Sequence, residues 1–354
     1  MSDGIGFNGW LAVDYYRGLA NRQSYQAPRL DGTTPVVYGM AHDSLNLIDA
    51  TGAVLPNGTD PAEAAGAVLM GYDPQGRWLR FENAFRNDFA PVGERYTSYT
   101  DSAAAGTTLM TGRKTANGRL NMDWTGELAF QTIAEIAMGR GMAAGAVASV
   151  QVSHATPASV IAHKVSRNNY VEIFNEMIES DLTVMMGAGH PFFDNSGNAV
   201  EPEEDRAYRF LGGRETVAAL TSEAGLNGFT FIDARDDFEA LAEGAMLPER
   251  VVGIARAGST LQASREGLGE ADTPSGMAMN PAVPDLAIMS RGALNVLAQK
   301  ANGFFLMIEG GAVDGMGSTT CPASSRSRST STRRSTPSST GSRRIRTGTR
   351  RCSS

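Results

Sequence analysis

A doubly wound, mainly parallel α/β sheet with helices on both faces is the architecture that this chain predicts, and three observations predict it. Short apolar runs alternate with helix-length amphipathic stretches, the order that builds βαβ units. The runs end in polar tips: Ser153-His154-Ala155-Thr156-Pro157 after Ala143 to Val152, Gly187-Ala188-Gly189-His190 after Leu182 to Met186, and Glu309-Gly310-Gly311-Ala312-Val313-Asp314 after Gly303 to Ile308. In such a sheet these tips share the carboxyl edge, where α/β folds hold their ligands. The material suffices for a large core, since 42% of the 354 residues are hydrophobic,.

Taken in order, Asp3-Gly4-Ile5-Gly6 reads as the last turn of a strand entering a helix at Asn8 to Arg17. A carboxylate there is either a metal ligand or a helix cap. From about 23 to 94 the chain is polar, weakly periodic and punctuated by Asp31-Gly32, Pro56-Asn57-Gly58 and Asp73-Pro74-Gln75-Gly76. It reads as an irregular excursion over the active face, with His42 and Asp43 in a surface loop. Tyr99-Thr100-Asp101-Ser102-Ala103-Ala104-Ala105-Gly106-Thr107 then sets Ser102 on the first turn of an alanine-rich helix. Unpaired N–H groups and the positive end of the helix dipole meet an anion there. Asp101 or Ser102 is otherwise a plain N-cap.

Further along, Glu127 to Met138 predicts an amphipathic helix with Leu128, Ile133, Ile136 and Ala137 on one face, ended by Gly139-Arg140-Gly141,. Ala143 to Val152 is a buried strand. A helix from Ala158 to about Val165 carries His163 as a packed residue, and a second runs from Ser166-Arg167-Asn168 through Met177. Arg167 is either a fork for two phosphate oxygens or a surface arginine. Leu182 to Met186, Phe229 to Ile232 and Val251 to Ile254 are strands; Glu215 to Ser222 and Asp236 to Glu243 are helices. After a loop over 266–284, Asp285 to Lys300 is a helix, and Gly303 to Ile308 reads as the best buried strand of the chain,.

Composition narrows the function classes. The net charge is −7, but nine arginines and no acidic residue follow position 317. The preceding residues therefore hold 22 of the 31 basic side chains against all 38 acidic ones, a balance of −16. So acidic a body argues against nucleic acid as a partner. Both cysteines, Cys321 and Cys352, lie beyond 317, which excludes a disulfide framework or cysteine metal site before it,. No apolar run reaches the roughly 18 residues of a membrane span, and no secretory signal precedes Asp3.

Separate strand tips thus offer Asp3, Ser102, Thr156 and Glu309 with Asp314. Hard oxygens suit Mg²⁺, and a mixed carboxylate and imidazole set suits Zn²⁺. A serine beside a divalent ion loses its proton more readily and attacks phosphorus, while an arginine clamps the remaining oxygens.

Four segments, Asp3-Gly4-Ile5-Gly6, Thr100-Asp101-Ser102-Ala103, His154-Ala155-Thr156-Pro157 and Phe304 to Asp314, together resemble the signatures of the alkaline phosphatase family. Thr111-Gly112-Arg113-Lys114-Thr115 and Ala162-His163-Lys164-Val165-Ser166-Arg167 fit it as well. The resemblance covers most of 1–22 and 95–314. It implies phosphomonoester hydrolysis through a phosphoserine on Ser102, with Zn²⁺ and Mg²⁺ as cofactors and small phosphate monoesters as substrates. By it, Asp3 bridges a zinc and the magnesium ion, Thr156 and Glu309 complete the magnesium site, and Asp314 holds the other zinc. Ser102 is a metal ligand as well as the nucleophile, Arg167 grips phosphate, and His154 stands where members carry His or Asp near the third metal. A periplasmic or extracellular location and a homodimer of the intact protein follow from the same resemblance.

The family's pattern continues with a histidine four residues past Asp314, and Ser318 stands there instead; no histidine follows it. Residues 1–317 accordingly read as one incomplete α/β domain, and 318–354 as a Ser-, Arg- and Thr-rich tail, disordered or translated out of frame. With chosen third bases, the codons of Cys321 to Thr332 read out of register spell Pro-Arg-Phe-Ile-Glu-Glu-Gln-Val-Asp-Phe-Asn, an amphipathic helix. A true basic tail that binds an anionic surface is the rival reading. Phosphatase activity is expected to be impaired in such a chain. The alternatives are a non-catalytic fragment that binds phosphate or metal, and a phosphodiesterase or sulfatase-like relative.

Overall fold

The structure, a computed structural model, describes residues 100–265 and 278–317 together with Asp3, His42, Ser44, Leu45, Leu47, Ile48, Leu55, Gly66, Val68 and Leu69. The helix expected over Asn8 to Arg17, most of the excursion, residues 266–277 of the 266–284 loop and the tail after 317 lie outside these residues. Within the excursion, strand β1 (Leu47–Ile48) pairs antiparallel with β2 (Val68–Leu69). Its start is tied beside the expected nucleophile: Ser44 N–H donates to Thr100 Oγ1 at 3.1 Å and Leu45 N–H to the Thr115 carbonyl at 2.8 Å.

The remaining strands form one parallel five-stranded sheet in the order β5-β6-β4-β3-β7: β3 (Ala143–Gln151), β4 (Val184–Ala188), β5 (Thr230–Ile232), β6 (Val251–Ile254) and β7 (Phe304–Glu309). Parallel strands need crossover helices, which cover both faces. The period of two sorts the side chains accordingly. Ala144, Ala146, Met185, Val252 and Ile254 pack in one apolar cluster; Ala143, Val147, Val184, Met186 and Val251 pack in another. The first cluster is closed by α1 (Ser102–Thr111), α4 (Tyr170–Glu179) and α5 (Arg214–Leu220), through Met110, Phe174, Met177 and Val217. The second is closed by α6 (Arg235–Glu243) and α7 (Leu286–Leu297), through Phe238, Leu241, Met289 and Val296. A Cβ on Gly292 would stand 2.9 Å from Leu241 Cβ, so glycine lets α7 approach α6 closely,. The doubly wound α/β architecture is therefore as the sequence predicts.

Three local expectations are corrected. Helix α2 covers only Ile133–Met138, because Thr132 and Glu135 make a capping box that starts it there,. Its buried face is Ala134 and Ala137, whereas Leu128, Ile133 and Ile136 are exposed. Helix α3 is the short Ala155–Ala158; the chain then leaves the helix and pairs Lys164 with Leu120, so His163 is not helical. Finally, β7 is only partly buried, because among the described residues it pairs with β3 alone and its other edge is open. The fully covered strands are β4 and β6, with β3 buried in all but its last residue.

Candidate active site

The carboxyl ends of β3 and β7 and the amino end of α1 meet at one place. Asp101 caps α1, its Oδ1 accepting the Ala104 N–H at 2.9 Å. This capping frees the neighbouring hydroxyl: Ser102, the first helical residue, donates from Oγ to Asp3 Oδ2 at 2.7 Å across 99 residues of chain. The cap reading thus belongs to Asp101, and Asp3 is a partner of the serine.

Asp101 also holds the arginine. Its Oδ2 accepts from Arg167 Nη1 and from the Gly118 N–H, each at 3.0 Å, and its own N–H donates to Asn117 Oδ1 at 3.0 Å. Arg167 is no surface arginine; the other end of its fork lies 3.2 Å from His154 Nε2. Burial, and then the Arg167 charge, push the His154 pKa down to about 3, so its imidazole is neutral,. An Nε2 facing a guanidinium accepts, which leaves the proton on Nδ1, a buried atom with no partner,. Sequence reasoning missed the Asp101 role, because a contact spanning 66 residues has no local signature.

Glu309, at the tip of β7, is fully buried, and among the described residues neither carboxylate oxygen makes a hydrogen bond of good geometry; nor does the buried Thr156 Oγ1 on α3, which lies near enough to Glu309 to act on its charge. Burial first, and the Asp3 charge second, raise the Glu309 pKa to about 8, against smaller opposing contributions from Thr156 and Arg167. Asp314, in the first turn of α8 (Ala312–Gly317), is exposed, yet partial desolvation and then the Asp3 charge raise its pKa as well, against Arg167. Gly311 leaves room beside the carboxylate: a Cβ there would lie 2.8 Å from Glu309 Oε1. The structure therefore brings Asp3, Ser102, His154, Thr156, Arg167, Glu309 and Asp314 to one edge of the sheet. His42, by contrast, is exposed.

Buried carboxylate oxygens without donors are costly unless a cation meets them. Asp3, Thr156 and Glu309 offer hard oxygens alone, a donor set that fits a magnesium-like ion. Zinc fits less well. Among the described residues no group of three His, Cys, Asp or Glu side chains is assembled that could hold a metal, and no imidazole joins Asp3 and Asp314.

The sequence pattern of the alkaline phosphatase family matches residues 93–326, so Asp3 lies outside the match and is placed at Ser102 by the structure alone. Alkaline phosphatase 4 of Bacillus subtilis is 30% identical over 221 residues, which are 61% of this chain and 40% of that protein. The alkaline phosphatase of Escherichia coli is 28% identical over 258 residues, 64% of this chain and 54% of that protein. The chain thus spans about half the length of these relatives or less. The crystal structure of a cold-active alkaline phosphatase from a psychrophilic Shewanella matches with a TM-score of 0.52 over 94% of this chain and 61% of the other; at 21% identity this is a likeness of fold. By a family match across two thirds of its length, this chain belongs to the alkaline phosphatase family.

Proposed function

We propose that this chain carries the nucleophile, magnesium ligands and phosphate clamp of a phosphomonoester hydrolase that works through a phosphoserine on Ser102. The observation that carries the reading is the pair Ser102 Oγ and Asp3 Oδ2 at the amino end of α1, beside an arginine tethered to that helix's own cap. As Oγ attacks phosphorus, Asp3 is placed to take its proton, and the positive end of α1 favours the charge on the phosphoryl oxygens. Arg167 spends one donor on Asp101 and one towards His154, and its remaining N–H groups are available to phosphate,. The departing alkoxide takes up a proton from water. A water molecule then attacks the phosphoserine, the P–O bond to Ser102 breaks, Ser102 regains its proton from Asp3, and the proton of the attacking water stays on the released phosphate or passes to solvent. Asp3, Thr156 and Glu309 are the residues that would hold Mg²⁺, which when bound neutralises charge at the site and lowers the proton affinity of nearby oxygens.

Zn²⁺ is the second cofactor in this reading, with Asp3, Ser102 and Asp314 as the ligands that this stretch supplies. Turnover by this chain is proposed to be weak, because among the described residues no imidazole joins these ligands. That same observation favours one second reading, a non-catalytic fragment that binds phosphate or Mg²⁺.

Release of p-nitrophenol from its phosphate ester, with Mg²⁺ and Zn²⁺ added, separates the two. After an acid quench, mass spectrometry of the Ser102 peptide is expected to show one added phosphoryl group, absent in Ser102→Ala. Hydrolysis that persists in Ser102→Ala would overturn the phosphoserine route. Phosphate binding without any turnover leaves the fragment reading.

A further inference from the structure

His163 stands where four stretches of chain meet, and both of its ring nitrogens face acceptors. Nδ1 lies 3.0 Å from Glu176 Oε1 on α4; Nε2 lies 3.1 Å from the Phe130 carbonyl and 3.5 Å from Glu135 Oε2 on α2. Its backbone N–H also donates to Glu176 Oε1, at 2.9 Å. A neutral imidazole has one N–H and must turn a lone pair towards one of these oxygens; only the imidazolium satisfies both sides. The charged groups around the ring are Glu135 from α2, Glu176 from α4 and Lys164 from its own segment, the last pairing with Glu176 Oε2. Arg113 stacks over the Phe130 ring behind the carbonyl.

The same segment carries the phosphate clamp. Lys164 and Leu120 exchange both backbone hydrogen bonds, at 2.9 and 3.0 Å, and the Arg167 N–H donates to the Gly118 carbonyl at 2.7 Å. Gly118 in turn donates to the Asp101 Oδ2 that holds Arg167 Nη1. We propose that His163 is a positioning residue for Arg167: its ring, bonded on both sides, pins the 163–167 segment between α2 and α4, and loss of one ring proton loosens that pin and weakens the grip on phosphate. The inference rests on the reading of Arg167 as the clamp and adds a pH-dependent control of it. Burial alone would lower the proton affinity of the ring, but Glu176 and then Glu135 outweigh it, so the pKa of His163 stands above its ordinary value.

Linkage supplies the test, because if protonation tightens phosphate, phosphate must tighten the proton. The probe is inorganic phosphate on the full chain with Mg²⁺ present, and the readout is the NMR titration of the His163 ring, assigned with His163→Gln. At saturating phosphate the midpoint is expected to move up by about 0.7 in pH, the equivalent of a roughly fivefold change in affinity, at the low end of ordinary coupling. In Glu176→Gln, or in Glu135→Gln should the first fail to fold, phosphate still binds and the movement disappears. A wild-type midpoint unmoved by phosphate that does bind overturns the inference and spares the site. An equal movement in the Gln variants also overturns it, since phosphate then acts on the ring through its field alone. If phosphate perturbs nothing near Ser102, the phosphatase reading fails and this inference falls with it.

Discussion

Two polar clusters sit on the carboxyl edge of the same sheet, and they differ in how fully their atoms are partnered. At the tips of β4, β5 and β6, His190 Nε2 meets Asp233 Oδ2 at 3.3 Å, and its Nδ1 faces the Phe192 N–H at 3.2 Å. Arg256 Nη2 donates to Asp233 Oδ1 at 3.0 Å, and Phe193 packs edge-on against the His190 ring. Asp233 is held below the ordinary carboxylate range: burial opposes this, but hydrogen bonds from His190 and Arg256 outweigh it. Among the described residues of this cluster, Arg256 Nε alone is left buried without a partner. At the tips of β3 and β7, by contrast, both Glu309 oxygens, Thr156 Oγ1 and His154 Nδ1 are buried and, among the described residues, make no hydrogen bond of good geometry. The residue types are alike. A cluster that closes on itself is a cross-link between strands, whereas one that leaves donors and acceptors open has kept them for a ligand.

The contrast breaks most readily at Glu309. Its folded pKa of about 8 lies above the unfolded 4.5, so the metal-free folded protein keeps a proton that the unfolded chain has lost,. Stability is whole below the unfolded value and falls as pH rises towards 8, by on the order of 4 kcal/mol. Glu309→Gln in chelator should flatten that fall, and in the wild type Mg²⁺ should offset much of it, adding about 2.7 kcal/mol at a hundredfold excess over Kd. Thermal melts from pH 5 to 8, with and without Mg²⁺, read both effects. A metal-free wild type indifferent to pH over that window would mean the carboxylate is not an open ligand.

The β4–β6 cluster should answer in the opposite way. Asp233→Ala strands His190 and Arg256 without their acceptor, and Asp233 is only partly buried, so a loss of about 2 kcal/mol is expected,. That is a fall of roughly 5 °C in Tm. Because its folded pKa is lowered, the stability Asp233 contributes is present above the unfolded value near 3.8 and lost as pH falls through the folded one,. Phosphate binding and the response to Mg²⁺ should stay as in the wild type. A variant that keeps its Tm but loses phosphate affinity would make this cluster part of the site.

Much of this geography was legible in the chain. Ser102, Thr156, Glu309 and Asp314 each follow a short apolar run or open a helix, and local patterns of that kind survive folding. Pairings that span the chain left no such trace. Asp101 with Arg167, Glu176 with His163 and Asp233 with Arg256 are set by which strands lie side by side. The amphipathic pattern over Glu127 to Met138 misled because Thr132 and Glu135 start the helix late, and because the residues facing the core are small alanines rather than isoleucines. The apolar run at β7 foretold a strand but not the edge it leaves unpaired among the described residues, since hydrophobicity records the cover a strand needs and not which neighbour supplies it,.

The finest probe of the contrast is a single methyl group. Gly311 follows Glu309 closely, and a Cβ there would come within 2.8 Å of Glu309 Oε1 and Cδ and 2.9 Å of Val150 Cγ2. Among the described residues Glu309 makes no hydrogen bond of good geometry, so in Gly311→Ala the carboxylate is expected to swing away while the strand stays. Mg²⁺ affinity, followed as the ion concentration at which Tm begins to rise, should fall about tenfold, which is about 1.4 kcal/mol. Metal-free stability should change little, because nothing in the closed β4–β6 cluster is touched. An equal loss with and without Mg²⁺ would show that the methyl group disturbs packing against Val150 and that the space beside Glu309 is not reserved for an ion.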